Sequence, residues 1–221
     1  MNNKKISALF LALASTTSIA GTMGPVATPQ VLLLLEAGAS YSHSFYDSNV
    51  VYAESRSVAF PNGFAINPSD FYPEDFWGGY IGASLYFPQN WLLNTRYDMY
   101  GKESKTNVAA QTEIKLAPTR LTFSVDKVFG DFNAFSGGVG GGAVVETLND
   151  GDFIAAVGAA NPSESLQGRT RIDPLVEAFA MYRSGNFGLK LNAAYQIPVN
   201  SKFGSGDINV NLGANYAFAL L

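Results

Sequence analysis

Cysteine is absent from the 221-residue chain, which removes disulfides, thiolate metal sites and a thiol nucleophile from consideration. It also removes lipid anchoring through a mature N-terminal cysteine. Histidine occurs once, as His43, and no metal-ligand spacing is present. Charge is scarce: 14% of residues are charged, where an ordinary soluble domain carries about a quarter. The formal net charge of -4 argues against nucleic acid as a partner, because that affinity comes mainly from neutralised phosphates. Beyond the first residues there is no run of the roughly 20 apolar residues that a membrane-crossing helix needs. What the chain does have is 22 glycines and 13% aromatic residues. Low charge without long apolar runs fits a transmembrane β-barrel, in which only every second residue meets lipid.

The N-terminus has its own pattern. Lys4 and Lys5 precede the short apolar run 6–14, and a small-residue stretch ends at Ser18-Ile19-Ala20. This is the layout of a secretory signal peptide. The expected organisation is a signal peptide over 1–20 and a single barrel domain over 21–221.

The last strand is the clearest. From Ile208, one set reads Ile208, Val210, Leu212, Ala214, Tyr216, Phe218 and Leu220, and the other Asn209, Asn211, Gly213, Asn215, Ala217 and Ala219. A period of two separates these sets on a strand, while a helix would mix them. The same alternation predicts strands over 187–197, 174–183, 77–87, 91–101, 120–129, 132–146 and 31–45, which makes eight. Short turns are expected at Pro88-Gln89-Asn90, Gly130-Asp131 and Ser184-Gly185-Asn186. Longer connections fall over 46–76, 102–119, 147–173 and 198–207. Alternating short and long connections match periplasmic turns and extracellular loops, with both termini periplasmic. Residues 107–116 also alternate, and are read as a strand extension within the second outer loop.

The segment Asn211-Leu212-Gly213-Ala214-Asn215-Tyr216-Ala217-Phe218 resembles the C-terminal insertion signal of outer-membrane barrels. Its specified positions are Asn211, Gly213, Tyr216 and Phe218; the departure is the tail Ala219-Leu220-Leu221 after the final aromatic. The strand rhythm of 120–145 and 174–218 resembles the eight-stranded outer-membrane β-barrel family of opacity proteins and the transmembrane domain of outer membrane protein A. That resemblance implies an all-β, transmembrane, antiparallel up-and-down barrel in the bacterial outer membrane. It further implies a narrow bore, function carried by loops, and often no enzymatic activity. The expected partners are outer-membrane lipids, the barrel assembly machinery through the C-terminal strand, and a host or envelope partner at the loops.

Inward positions collect Glu36, Arg96, Asp98, Arg120, Asp126, Glu146, Glu177 and Lys190. Such a set can be a pore constriction, a catalytic group or a packed lumen. Eight strands leave room for little beyond side chains, and charges there persist when paired, so a structural network is expected, with Lys190 facing Glu177. A narrow channel for small solutes and a lipid A modifying enzyme are the alternatives. The enzyme would rest on His43, yet the adjacent Ser42 and Ser44 alternate to the opposite face, and Tyr41 and Phe45 supply no serine nucleophile. The glycine-rich segment 137–143 loosely matches a dinucleotide fingerprint but leads into a strand-like run where that motif needs a helix. Its glycines are expected to make room for lumen residues such as Tyr80, Tyr86 and Tyr100. No catalytic, cofactor or metal site is expected.

Overall fold

The computed structural model describes residues 31–47, 50–52, 64–108, 112–154, 164–165, 168, 170–199 and 204–220. The expected signal peptide lies outside them. Among the described residues twelve strands occur in chain order: β1 (Leu32–Tyr46), β2 (Val50–Tyr52), β3 (Phe64–Ile66), β4 (Asp75–Phe87), β5 (Trp91–Tyr100), β6 (Glu103–Asn107), β7 (Thr112–Gly130), β8 (Phe135–Ile154), β9 (Glu164–Ser165), β10 (Thr170–Ser184), β11 (Phe187–Gln196) and β12 (Gly204–Ala219). Eight of these are staves, running β1, β4, β5, β7, β8, β10, β11, β12 and back to β1, each antiparallel to its neighbours. The sheet therefore closes without an edge, which lets a β-structure sit in hydrocarbon with its backbone groups satisfied.

Period-two patterning decides which face turns out. Leu35, Ile81, Leu93, Phe123, Val125, Val176, Leu189 and Leu212 are all exposed, while Glu36, Ser84, Asn94, Ser124, Glu177, Lys190 and Asn211 on the same staves are buried. An exterior this apolar is a liability in water and a requirement in lipid.

The three short turns need left-handed backbone, and Asn90 (φ 62°), Gly130 (φ 88°) and Gly185 (φ 62°) supply it.

Several boundaries differ from the sequence expectation. Phe132 lies in the turn before β8, not in the strand, and is buried where the turn folds into the barrel base. The segments 117–119 and 147–154, expected as loop, are strand, and 112–116, expected as a strand extension, is strand as well, because β7 and β8 stay paired out to Glu113 and Ile154. The register slips between Ala117 and Pro118; proline has no N–H for the ladder, so the bulge falls there. Likewise β10 begins at Thr170 and β12 at Gly204. Residues 107–116 are not one strand: β6 pairs back on the start of β7, with Asn107 opposite Thr112. With β9 against β8, an arm of β6, β7, β8 and β9 stands beyond the outer rim.

Candidate functional site: the lumen and its outer mouth

The base of the lumen is apolar. Leu34, Leu92, Val128, Phe132, Phe179, Met181 and Ala217 form one buried cluster, with Leu32 and Tyr86 against it. Phe132 stacks on Tyr86 at 3.6 Å and 7°, and the Arg183 guanidinium lies 5.0 Å above the Phe132 ring. Arg183 also donates to the Gly185 carbonyl at 3.1 Å.

Above this plug the lumen is polar. Lys190 Nζ lies 3.4 Å from Glu36 Oε1, with both side chains almost fully buried, and donates to Asn94 Oδ1 at 3.2 Å. Asn94 donates to Asp126 Oδ2 at 2.6 Å. Arg96 Nε meets Asp98 Oδ2 at 3.2 Å, and its Nη1 lies 3.6 Å from Glu177 Oε2. Glu177 accepts from Ser124 Oγ and, at 3.0 Å, from Asn192 Nδ2. Asn211 Nδ2 donates to Asp98 Oδ1 at 2.6 Å and to Ser40 Oγ at 2.9 Å.

Nearer the mouth, Arg120 Nε donates to Glu146 Oε2 at 2.5 Å. Its Nη1 reaches Asn209 and Ser42, and its Nη2 lies 3.6 Å from Asp207. Arg171 joins the same group through Glu146, Asp207 and Asp173. A cavity of 240 Å³ opens outward over it, walled by Phe45, Tyr46, Phe76, Leu116, Pro118 and Leu148.

The expected inward charges thus fall into two groups. Glu36, Arg96, Asp98, Asp126, Glu177 and Lys190 lie in the middle, and Arg120 and Glu146 at the mouth. Lys190 pairs with Glu36, not with Glu177, because Arg96 occupies the position beside Glu177. Asp126 has no ion-pair partner among the described residues and is held by Asn94. The inward glycines also act differently from expectation. A Cβ at Gly138 would strike the Phe179 ring, and one at Gly140 the Asp126 carboxylate, while the Tyr80 hydroxyl lies over Gly213 on the opposite wall. Arg171, Asp173, Asp207 and Arg183 are not among the expected inward charges, the first three because the predicted staves end below them. Continuing the alternation outward through 170–174 and 206–208 reaches those three, and carrying the Glu177 phase along 174–183 reaches Arg183.

His43 turns outward, its Nδ1 2.8 Å from Asp75 Oδ1. Ser42 and Ser44 are buried on the inner face, so this acid–histidine pair has no adjacent serine to activate. Of the C-terminal motif, Asn211 and Gly213 face inward. Tyr216 and Phe218 face out, with Tyr216 packed against Phe187 (4.9 Å) and Phe218 (4.7 Å).

No protein-family model matches this sequence, and no curated protein sequence matches it. Solved structures do. Ail, the attachment invasion locus protein of Yersinia pestis, crystallised with the heparin analogue sucrose octasulfate, superposes with a TM-score of 0.52 at 13% identity, covering 86% of this chain and 99% of that one. The N-terminal β-barrel domain of Pseudomonas aeruginosa OprF gives 0.50 at 15% identity, covering 86% and 100%. The chain has the fold of the small outer-membrane β-barrels. A closed antiparallel barrel with a lipid-facing apolar wall and a polar interior is the outer-membrane architecture, and that wall, described above, places this chain in the bacterial outer membrane.

Proposed function

We propose that the barrel is a sealed membrane anchor whose work is done outside, by the β6–β9 arm and the outer loops in contact with a host or envelope partner. The observation that supports this is the filling of the lumen at three successive heights: the apolar plug around Phe132, the Glu36–Lys190 and Arg96–Asp98–Glu177 group, and the Arg120–Glu146–Arg171–Asp207 group. A conducting pore needs a wetted path past all three. The reading assigns no catalysis, since the His43–Asp75 pair has no serine on its own face among the described residues. It takes residues 1–20 as a signal removed after Ala20, and the β12 aromatics as the contact for the assembly machinery. The polyanion seen on Ail is not carried over to the arm, where Lys102 already pairs with Asp150 and Asp152, and Lys115 with Glu113.

The test is surface binding to host cells and envelope extracts with the wild type and with a form whose two arm connections, β5 to β7 and β8 to β10, are each trimmed to a tight turn level with Pro118, at equal barrel abundance. Loss of binding with the arm supports the reading. Full binding without the arm, or a steady single-channel conductance from the purified wild type, overturns it.

A further inference from the structure

On the outer surface of β1 and β4, at the extracellular end, four side chains form a polar and aromatic patch above the apolar wall. His43 and Asp75 are directly opposed across the two strands, and so are Tyr41 and Trp77. Asp75 Oδ1 accepts from the Tyr41 hydroxyl at 2.5 Å and faces His43 Nδ1 at 2.8 Å. With the imidazole proton on Nδ1, His43 Nε2 is left as an acceptor. Asp75 Oδ2 has no hydrogen-bond partner among the described residues, and the Asp75 side chain is 55% exposed. The Trp77 indole is 63% exposed and packs by one side against Tyr41, with ring centroids 4.6 Å apart.

Directly toward the membrane centre the wall dips. The next exterior pair is Ala39 opposite Gly79, flanked by Leu212 on β12 and Met99 on β5. The patch therefore combines hydrogen-bond acceptors, an open aromatic face and, beneath them, a shallow apolar trough. Since it faces outward from a membrane barrel at the outer rim, its neighbour is the lipid of the outer leaflet.

We propose that Tyr41, His43, Asp75 and Trp77 form a binding site for a sugar-headed lipid of the outer leaflet, with an acyl chain lying in the Ala39–Gly79 trough. Two features select the sugar. Asp75 Oδ2 and His43 Nε2 are both acceptors, which suits sugar hydroxyl and amide N–H donors and repels a phosphate placed against the carboxylate. The exposed indole offers a flat apolar surface for the C–H face of a pyranose, a contact governed by dispersion. A zwitterionic phospholipid brings a single ammonium, which can serve Asp75 or sit over the Trp77 ring, and no array of hydroxyl donors or flat C–H face. The proposal rests on the outer-membrane placement of the barrel, not on the role of the arm.

The chain has two tryptophans, so Trp91→Phe leaves Trp77 as the single indole. That protein, in phosphatidylcholine nanodiscs, is titrated with a dephosphorylated diglucosamine glycolipid and separately with phosphatidylethanolamine, while Trp77 emission is followed. The expected result is a saturable change with the glycolipid at a mid-point at least fivefold below that for phosphatidylethanolamine. Asp75→Asn and, independently, Tyr41→Phe should each weaken the glycolipid mid-point at least threefold. Equal response to the two lipids overturns the sugar assignment, and an unchanged mid-point in both variants overturns the site. Heat-modifiable migration of each sample checks that the barrel is folded, so a failed membrane placement is distinguished from a failed lipid site.

Discussion

Lys190→Met is the perturbation that most sharply separates a packed lumen from a wetted one. The ammonium lies 3.4 Å from Glu36 Oε1, and the two side chains are 4% and 3% exposed. At an effective dielectric of about 20 that separation corresponds to about 5 kcal/mol of attraction before desolvation is counted. Methionine keeps the stem over the Phe179 ring, where Lys190 Nζ now sits 5.2 Å from the centroid, so lost packing is small. Asn94 Oδ1 keeps the Ser84 hydroxyl as a donor at 2.6 Å. What remains is Glu36 without its cation, and a buried pair broken on one side costs about 3–5 kcal/mol. Glu36→Gln should destabilise in the same sense by stranding the ammonium. The double variant Glu36→Gln with Lys190→Met leaves neither member of this pair stranded, and should recover at least about 2 kcal/mol of the summed single losses. The assay is urea unfolding of the barrel in lipid vesicles, followed by tryptophan emission and by migration of unheated samples. Single losses under about 1 kcal/mol that simply add in the double variant would refute the reasoning, because they would mean that water screens the pair.

Phe132→Ala should lower unfolding free energy by about 3–5 kcal/mol, since it empties the centre of the basal plug; the same unfolding assay checks it. Gly140→Ala should destabilise by about 1–3 kcal/mol, because the new methyl would meet the Val125 carbonyl and the Asp126 carboxylate, and a neutral result in that assay would contradict the packing. Phe218→Asp should reduce assembled barrel at the cell surface, measured by heat-modifiable migration, because it puts a charge on the lipid face of the closing strand. In the arm, hydrogen bonds from Lys102 to Asp150 and Asp152 hold its ammonium above the ordinary lysine range. The contact is therefore fully present below the ordinary lysine value and is lost as pH rises through the raised one. Hydrogen exchange at 103–107, corrected for its intrinsic pH dependence, should stay protected through neutral pH and loosen only in the alkaline range, and Lys102→Met should remove that dependence.

Much of the barrel is readable in the sequence because each stave repeats one decision every second residue. Ile208 to Phe218 on one side and Asn209 to Ala217 on the other leave a single consistent orientation, and a one-residue slip would put Asn209, Asn211 and Asn215 into lipid. Stave ends are less legible. Beyond the hydrocarbon both faces of a strand are wet, so Asn149, Asp150 and Asp152 lose the polar–apolar contrast that marks Leu121 to Val125. Inward direction was legible too, since it follows from phase, whereas partner choice was not. Lys190 meets Glu36 over the intervening β12, on a stave that is distant in sequence but next but one in the sheet, and the stagger that brings them level is a property of the closed sheet. The role of Phe132 was hidden for a related reason, because a turn that folds back into the lumen follows no strand period. The His43–Asp75 pair needed the register of β1 on β4, across a connection whose length says nothing of where it returns.

The central claim is that a lipid-facing wall encloses a lumen sealed by packing. The chain has no cysteine, so one introduced thiol reports on one place, and Ser40 is the place to put it. Its side chain is fully buried at mid-lumen, bonded to Asp98 and Tyr100, and cysteine is close to serine in size. The measurement is the rate at which Ser40→Cys, folded in lipid vesicles, reacts with a small water-soluble thiol reagent, relative to the same protein unfolded in urea. The account predicts protection by at least about 100-fold, as expected of a group reached only through an opening that costs several kcal/mol. Modification at the unfolded rate would mean that water runs through the barrel, and would contradict it.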